Sequence, residues 1–245
     1  MIKYHVKKGI ESYGYPIGIL LIDCSTPFIP GDVGNASTYT FPVLYKTVPD
    51  LTLQKLIEEE DLNLTNAVIR AAKELENAGV HAISSDCGYM IHFQRQVASE
   101  VNVPVIMSSL IQLPMLERTI GPLKKIGVIC ANRKKLSPNI LDIAGVKDKS
   151  SIIIRGMEEM PYFRAPILDE KPELVYEEIE KEIVSVAEEM VTTHPEIGPI
   201  LLECSNMPPY AHAVQKATGR IVFDFTTLIN HFFNASFRKP FKGFF

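Results

Sequence analysis

Two cysteines lie in closely matching contexts in the two halves of the chain. The first half contains Asp86-Cys87-Gly88-Tyr89-Met90, and the second contains Glu203-Cys204-Ser205-Asn206-Met207. Thiols at equivalent positions of a duplicated unit are expected to face one shared site. There, one thiolate can remove a proton from a carbon next to a carbonyl group while the opposite thiol delivers one. The pattern therefore predicts a two-base proton-transfer site with Cys87 and Cys204 as its catalytic residues.

The duplication extends beyond the cysteines and divides the chain. Ser108-Ser109-Leu110-Ile111 in the first half is matched by Thr226-Thr227-Leu228-Ile229 in the second. We place the boundary between the halves near Gly121-Pro122. The sequence thus predicts a first lobe over residues 1–122, a second lobe over 123–225, and a C-terminal helix over 226–245 that packs back on the first lobe.

Short apolar, β-branched segments alternate with amphipathic helical segments, of which Leu64–Ala78 and Leu174–Val191 are the clearest. The apolar segments are continuous, which is typical of parallel strands covered on both faces. This alternation predicts an α/β fold of two pseudo-symmetric lobes, each a parallel sheet flanked by helices, with the active site in the cleft between them. The predicted strands are Pro16–Asp23, Val80–Asp86, Val103–Met107, Lys125–Cys130, Ser151–Arg155, Ile200–Glu203 and Arg220–Asp224.

Both cysteines end a predicted strand and precede a predicted helix. Backbone N–H groups and the helix dipole at such a position lower a thiol pKa from about 8.5 towards neutrality. Neighbouring strand residues point to opposite faces, so Asp86 and Glu203 are expected to point away from the thiols. Gly88, Ser205 and Asn206 are candidates for holding a substrate carboxylate at these turns through backbone amides.

One long irregular segment, Ser25–Pro49, begins directly after the first predicted strand and is rich in Pro, Gly, Asn and Thr. Ligands of α/β sheets bind at the carboxyl ends of strands, so this position favours a functional loop. Asn35 and Thr38 are its candidate substrate contacts, although a role in turns is equally well supported.

The composition limits the class of partner and the location. A net charge of −4 argues against nucleic acid or an anionic membrane as a partner. The apolar segment Ile17–Ile22 is too short to span a bilayer and has no cleavage site, so we interpret it as a buried strand. We expect a cytoplasmic protein that acts on a small-molecule carboxylate, with a homodimer as an open alternative.

Four cysteines, two of them Cys24 and Cys130, are spread along the chain without the spacing of a disulfide framework or a zinc site. Cys24 and Cys130 lack a matched context, so we expect them to be core thiols. The sequence contains no G-x-G-x-x-G, P-loop or H-E-x-x-H motif. We therefore expect neither cofactor nor metal.

Over its whole length, and most strongly from Leu201 to His231, the chain resembles the aspartate/glutamate/hydantoin racemase superfamily. The resemblance rests on Asp86-Cys87, on the segment from Glu203 to Ala211 and on the two-lobed repeat. It implies two α/β lobes, one catalytic cysteine from each, and catalysis without pyridoxal phosphate. It also implies a site role for Asp23, which lies where the family places an aspartate near the active site.

The chain departs from this family next to both cysteines. Gly88-Tyr89 stands where Asn-Thr is typical, and Ser205-Asn206 stands where Thr and then His or Glu are typical. Tyr89, a further substrate-binding candidate, together with Tyr39 and Phe41 indicates a pocket less polar than one for glutamate.

Three functions follow from the sequence. The main hypothesis is a cofactor-independent racemase or epimerase, an isomerase of amino-acid metabolism, for aspartate, glutamate, a hydantoin or another small acid. A decarboxylase or a cis–trans isomerase of a dicarboxylate on the same fold is the alternative. A two-lobed binding protein without catalysis is the third, although a binding site has no need for paired thiols.

Overall fold

A computed structural model describes residues 1–6, 8–10 and 12–243 and contains two four-stranded sheets. The first sheet comprises β1 (Ile17–Leu21), β2 (Val43–Thr47), β3 (Ala82–Ser85) and β4 (Val105–Ile106). The second comprises β5 (Lys125–Cys130), β6 (Ile152–Gly156), β7 (Ile197–Leu202) and β8 (Val222–Phe223). The α-helices are α1 (Thr65–Asn77), α2 (Gln94–Glu100), α3 (Leu113–Thr119), α4 (Pro138–Ala144), α5 (Pro161–Ile167), α6 (Tyr176–Thr193), α7 (Ala211–Thr218) and α8 (Phe225–Ser236).

The two sheets have the same topology. Their strand orders are β2-β1-β3-β4 and β6-β5-β7-β8, and every neighbouring pair is parallel. The central strands are buried almost throughout, as the continuous apolar segments predict. The predicted fold of two similar α/β lobes is therefore confirmed.

A glycine at the same place in each sheet lets the covering helix approach closely. A Cβ atom on Gly18 in β1 would lie 3.0 Å from a methyl group of Leu75 in α1. A Cβ atom on Gly127 in β5 would lie 2.6 Å from Met190 Cε in α6. Because interiors are close-packed, a side chain at either position would push its helix outward.

The segment Ser25–Pro49 was predicted to be irregular throughout, and this was wrong. Its residues Val43–Thr47 form β2, an edge strand that pairs with β1 in the register Ile17↔Val43. The five residues of β2 are half-buried or exposed, so they lack the continuous apolar pattern that marks the central strands. The rest of the segment leads from the carboxyl end of β1 back to the amino end of the sheet, where β2 begins in parallel with β1.

The last helix returns to the first lobe. Helix α8 covers Phe225–Ser236, whereas the sequence predicted a helix over 226–245; residues 237–243 are not helical, and 244–245 lie outside the described residues. Its buried residues Phe225, Leu228 and Ile229 pack in one cluster with Ile17, Ile19, Ala82 and Ile106 of the first sheet. Asp224 caps the helix by accepting the Thr227 N–H.

None of the helices in the described ranges combines the length and apolarity that crossing a membrane requires.

Candidate active site

The carboxyl ends of β3 and β7 meet where the lobes join, and each carries a thiol. Cys87 lies two residues beyond β3, and Cys204 lies two residues beyond β7. Both are buried, and both line one cavity of about 20 Å³. The charge of Cys204 is among the causes that raise the Cys87 pKa, so the thiols are electrostatic neighbours. The repeat thus brings both cysteines to one site.

The backbone around the two thiols is also duplicated. Cys87 precedes a 3-10 turn over Gly88–Phe93, and its sulfur accepts from the Tyr89 N–H, two residues further on. The Cys204 sulfur accepts in the same way from the Asn206 N–H. Each amide stabilises a thiolate on its own cysteine.

The side-chain environments of the two thiols differ. The Cys204 thiol lies 3.5 Å from Asn206 Oδ1, to which it can donate. The Asn206 Nδ2 group in turn donates to Asp32 Oδ2 over 2.5 Å. No such side-chain partner is present for Cys87 within the part of the chain that the structure describes. The Asp32–Asn206 pair therefore orients one thiol and not the other.

Asp32 comes from the long loop after β1 and was not predicted as a site residue. It is buried, and its Oδ1 accepts from the Gly34 N–H over 2.9 Å. Burial raises the pKa of Asp32 to about 7, against the lowering effect of the bonds from Gly34 and Asn206. A lone aspartate in a turn-rich segment carries no sequence signal for such a role.

Asn35 and Thr38, predicted as substrate contacts, shape this loop. Asn35 Nδ2 donates to the Phe28 carbonyl over 2.9 Å, and Thr38 Oγ1 donates to the Asp32 carbonyl over 2.6 Å. Neither side chain belongs to the cavity lining, to which the loop contributes Thr26 and Phe28 instead. Their contacts are those of turn residues.

The acids before the thiols were expected to point away from the site, and this was wrong. Asp86 and Glu203 both line the cavity. Asp86 Oδ1 accepts from the Ile22 N–H over 3.0 Å, and Glu203 Oε2 accepts from the Ala131 N–H over 3.3 Å. Strands β3 and β7 end at the residues directly before these acids, Ser85 and Leu202. The alternation of side chains along a strand therefore no longer sets the direction of either acid side chain.

The expected lowering of the thiol pKa values was also wrong. Burial, followed by the charge of Glu203, raises the pKa values of Cys87 and Cys204 well above the ordinary value. Burial likewise raises the pKa of Asp86 to about 8 and that of Glu203 to about 7. The thiol pKa values rise because the cost of desolvating each thiolate outweighs its single amide hydrogen bond.

Apolar side chains from both lobes close the cavity. No lysine, arginine or histidine belongs to the lining formed by the described residues. Cys24, expected in the core, is a half-buried part of the wall, whereas Cys130 is buried outside it. The apolar wall residues, which the sequence analysis did not identify, are Ile22, Phe28, Leu53, Ile57, Ala131, Ile167 and Leu168.

The remaining predicted site residues fall into two groups. Gly88, Tyr89, Ser205 and Asn206 line the cavity. Asp23 is exposed and lies outside that lining. The aromatic pair expected near the pocket lies elsewhere, because Phe41 stacks on Phe233 of α8 at 3.8 Å and Tyr39 packs against Phe41.

Polar contacts across the lobe interface fix the geometry of the site. The Ser205 hydroxyl donates to the Asp86 carbonyl, and the Ser109 hydroxyl donates to the Leu202 and Glu203 carbonyls over 3.1 Å. Tyr89 reaches across to Asn132, whose carbonyl accepts from the Tyr89 hydroxyl over 2.6 Å. Each thiol is thus held by contacts that the other lobe provides.

A second, wider cavity of about 430 Å³ adjoins the thiol site and shares Leu53, Ile57 and Leu168 with it. At its edge, Glu170 accepts from the Ser25 N–H over 2.7 Å and joins the two lobes. The smaller cavity has room for about one water molecule. A molecule larger than water therefore needs more room beside the thiols than this cavity provides.

Chemically, this arrangement suits the removal of a proton by a thiolate. Two thiols with matched backbone donors flank a small space, and titratable carboxyl groups stand beside them. Within the described ranges, no group of histidine, cysteine and acidic side chains is arranged to hold a metal ion. A carbon acid next to a carboxylate is the reactant that such a site can accept.

Sequence comparison finds relatives along most of the chain. A dimethylsulfoniopropionate lyase of Durusdinium sp. clade D is 34% identical over 217 residues, which cover 85% of this chain and 70% of that protein. Dimethylsulfoniopropionate lyase 7 of Emiliania huxleyi is 32% identical over 236 residues, covering 92% of this chain and 69% of that protein. No protein-family model matches the chain.

Solved structures share the fold at low sequence identity. Allantoin racemase of Pseudomonas fluorescens superposes with a TM-score of 0.64 at 15% identity and covers 93% of this chain and 99% of that one. An aspartate racemase homologue of Pyrococcus horikoshii has a TM-score of 0.56 at 16% identity, with 90% and 98% of the chains covered. Arylmalonate decarboxylase has a TM-score of 0.58 at 10% identity, with 92% and 94% covered.

The solved structures bear on the fold of this chain, and the sequence relatives bear on its activity. The resemblance to the aspartate/glutamate/hydantoin racemase superfamily is confirmed for the fold. The expected racemase, an isomerase of amino acids, is wrong, because the sequence relatives over most of the chain are lyases.

Proposed function

This chain belongs to the dimethylsulfoniopropionate lyase family, and we propose that it is itself a lyase that releases dimethyl sulfide from a dimethylsulfonio-carboxylate. The observation that carries the proposal at the site is the pair of buried thiols at one cavity, in whose lining the described residues include no basic side chain. That cavity suits proton removal from a carbon next to a carboxylate.

The proposed reaction needs one base. In dimethylsulfoniopropionate the carbon between the carboxylate and the sulfonium-bearing carbon carries the acidic proton. The thiol that acts as the base must first lose its own proton, because burial and the charge of Glu203 raise its pKa. The thiolate then takes the substrate proton, and the electron pair of the broken C–H bond forms a C–C double bond. The C–S bond breaks with its electrons on sulfur. Acrylate and neutral dimethyl sulfide leave, and the thiol returns the proton to solvent.

Cys204 is the proposed base. Asn206 Oδ1 lies 3.5 Å from its sulfur, and Asp32 fixes the Asn206 amide. A base must be held in a productive geometry, and within the described residues Cys87 has no equivalent side-chain pair. Cys87 is proposed to line the opposite side of the substrate.

Backbone amides are proposed to hold the substrate carboxylate. Ser205 lines the cavity at the turn after Cys204, whereas the Glu203 carboxyl occupies the space beside Gly88, and the described lining includes no lysine or arginine. Amides of this kind favour charge that develops on the carboxylate when the neighbouring carbon loses its proton.

Both thiols come from one chain, so the reaction needs no second copy. Four unpaired thiols suit a reducing, cytoplasmic setting.

Product analysis tests the proposal. Purified protein is incubated with dimethylsulfoniopropionate, dimethyl sulfide is measured by headspace gas chromatography, and acrylate is measured by proton NMR. We expect both products in equal amounts with the wild type, and both formed at least about 100-fold more slowly with Cys204→Ala. Parallel incubations with single enantiomers of aspartate and glutamate serve as the comparison. Racemisation of an amino acid without release of dimethyl sulfide would refute the proposed lyase.

A further inference from the structure

Two carboxyl oxygens in the cavity wall have no hydrogen-bond partner in the described part of the chain. They are Asp86 Oδ2 and Glu203 Oε1, and both are fully buried. The other oxygen of each carboxyl group accepts one backbone N–H, from Ile22 and from Ala131. These donors follow β1 and β5, so the duplication places one half-satisfied acid on each side of the cavity.

A buried acid oxygen without a partner is costly unless a ligand or a proton compensates it. Among the described residues, the titratable groups that act electrostatically on these acids or their thiols include Asp32, Cys130 and Tyr89. All of these are neutral or anionic. The lining formed by the described residues therefore has two unused acceptors and no cationic side chain, and the charge of Arg133 acts on Cys130, which lies outside that lining.

The surrounding wall indicates which cation fits. Ile22, Phe28 and Leu168 present apolar surface to the same cavity. Methyl groups on a positively charged sulfur or nitrogen pack favourably on such surface and on aromatic rings. A primary alkylammonium has three N–H donors, one more than the two unpaired oxygens accept if each takes one. An acidic pair inside an apolar wall thus suits a methylated onium group.

We propose that Asp86 and Glu203 form a subsite for the methylated onium group of the substrate, with one carboxyl group from each lobe. This inference rests on the proposed function and deepens it, because it names the feature by which the site selects its substrate. It predicts that zwitterions with an onium group bind more tightly than carboxylates of the same shape that have a neutral carbon in place of the onium atom.

Binding at this subsite is linked to protons. Burial favours the protonated forms of both acids in the empty site, and a bound cation favours their ionised forms. The onium ligand therefore displaces protons from Asp86 and Glu203 as it binds. The proton of Cys204 and that of Cys87 are held more tightly, because burial and the charge of Glu203 raise both thiol pKa values.

A matched pair of ligands tests the subsite. Dimethylsulfonioacetate and 3-methylbutanoate have the same shape and differ in having S⁺ or C–H at the branch point. Neither can undergo the proposed elimination. Isothermal titration calorimetry with the wild type should show binding of the sulfonium compound that is tighter by at least about tenfold. In two buffers of different ionisation enthalpy, the heats should show protons released with that ligand.

The variants Asp86→Asn and Glu203→Gln keep the shape of the acids and remove their charge. Each should lose about tenfold or more in affinity for the sulfonium ligand and bind 3-methylbutanoate as the wild type does. Glu100→Gln, at a surface ion pair with Lys73, is the control and should change neither affinity. Circular dichroism confirms folding of each variant.

Equal affinities of the wild type for the two ligands would overturn the subsite, as would a preference that survives in both variants. That comparison of ligands on the wild type does not depend on how the variants fold. Release of dimethyl sulfide with equal affinities would leave the proposed lyase standing and remove the subsite. A preference for the sulfonium ligand without release of dimethyl sulfide would support the subsite and refute the proposed lyase.

Discussion

The side-chain carboxyl of Glu203 fills the space that a Cβ atom on Gly88 would need. The two residues belong to different lobes. Gly88 directly follows one thiol, and Glu203 directly precedes the other. The turn behind Cys87 and the acid before Cys204 therefore constrain each other, and any side chain at position 88 must displace Glu203.

Gly88→Ala should abolish most of the activity for this reason. The added methyl group forces Glu203 away from the Ala131 N–H, with an overpacking cost of about 2 kcal/mol. We expect release of dimethyl sulfide to fall by more than about tenfold. Gly198→Ala, in β7, is the matched control, because the nearest atoms to its new Cβ lie 3.8 Å away. Equal effects of the two changes would show that the Gly88–Glu203 contact has no role.

The two thiols should differ in importance. Cys204→Ala should lower kcat roughly 100- to 10,000-fold, the usual contribution of a general base. Cys87→Ala should lower it by no more than about tenfold, because a single base suffices for elimination. Release of dimethyl sulfide under substrate saturation measures both. Cys130→Ala changes a buried thiol outside the cavity lining and is the control. Equal losses at Cys87 and Cys204 would contradict the assignment of one base.

Tyr89→Phe should destabilise the protein by removing a hydrogen-bonded contact between the two lobes. The change deletes the hydroxyl that donates to the Asn132 carbonyl and accepts from the Asn132 N–H over 3.3 Å. Leaving these groups unpaired costs about 1–3 kcal/mol of the free energy of unfolding. Urea denaturation measures the loss. Tyr162→Phe removes an exposed hydroxyl and should leave the midpoint unchanged. An unchanged midpoint for Tyr89→Phe as well would mean that water replaces the contact.

The protein should lose stability as the pH rises from about 4 to about 8. Burial raises the pKa of Asp32 and Glu203 to about 7 and that of Asp86 to about 8, from ordinary values of 3.8 to 4.5. In this range the folded state binds more protons than the unfolded state. Each group therefore lowers the free energy of unfolding as the pH rises, until its folded pKa is passed.

Urea denaturation at several pH values between 5 and 8.5 measures this dependence. Asp86→Asn mimics the protonated acid and should flatten the curve, so that the variant is the more stable protein at the alkaline end. A wild type whose stability rises over the same range would show that these carboxyl groups ionise freely in the fold.

The duplicated sequence predicted the fold because duplication is visible in the residues themselves. The continuous apolar segments marked the central strands, and the matched contexts of Cys87 and Cys204 placed both thiols at one cleft. Strand β2 was missed because an edge strand is half-exposed and its alternation is weak. Its neighbours in the chain are turn residues, which made the whole segment look irregular.

The electrostatics of the site could not be predicted in the same way. Whether Asp86 and Glu203 point inward depends on the residue at which each strand ends, and a one-residue difference reverses the answer. Asp32 becomes part of the site through a loop path that no local pattern encodes. The activity was misjudged for a chemical reason: removal of a proton next to a carboxylate begins both racemisation and elimination, and the thiols alone do not distinguish them.

The return of α8 to the first sheet sets an order of assembly during synthesis. Ile17, Ile19 and Ala82 leave the ribosome early, yet the helix that covers them follows the entire second lobe in the chain. The strands of the second sheet are contiguous in sequence and can pair before α8 is made. The apolar face of the N-terminal half therefore stays uncovered until α8 is free to pack on it. Chaperones that shield nascent chains would find their binding surface there.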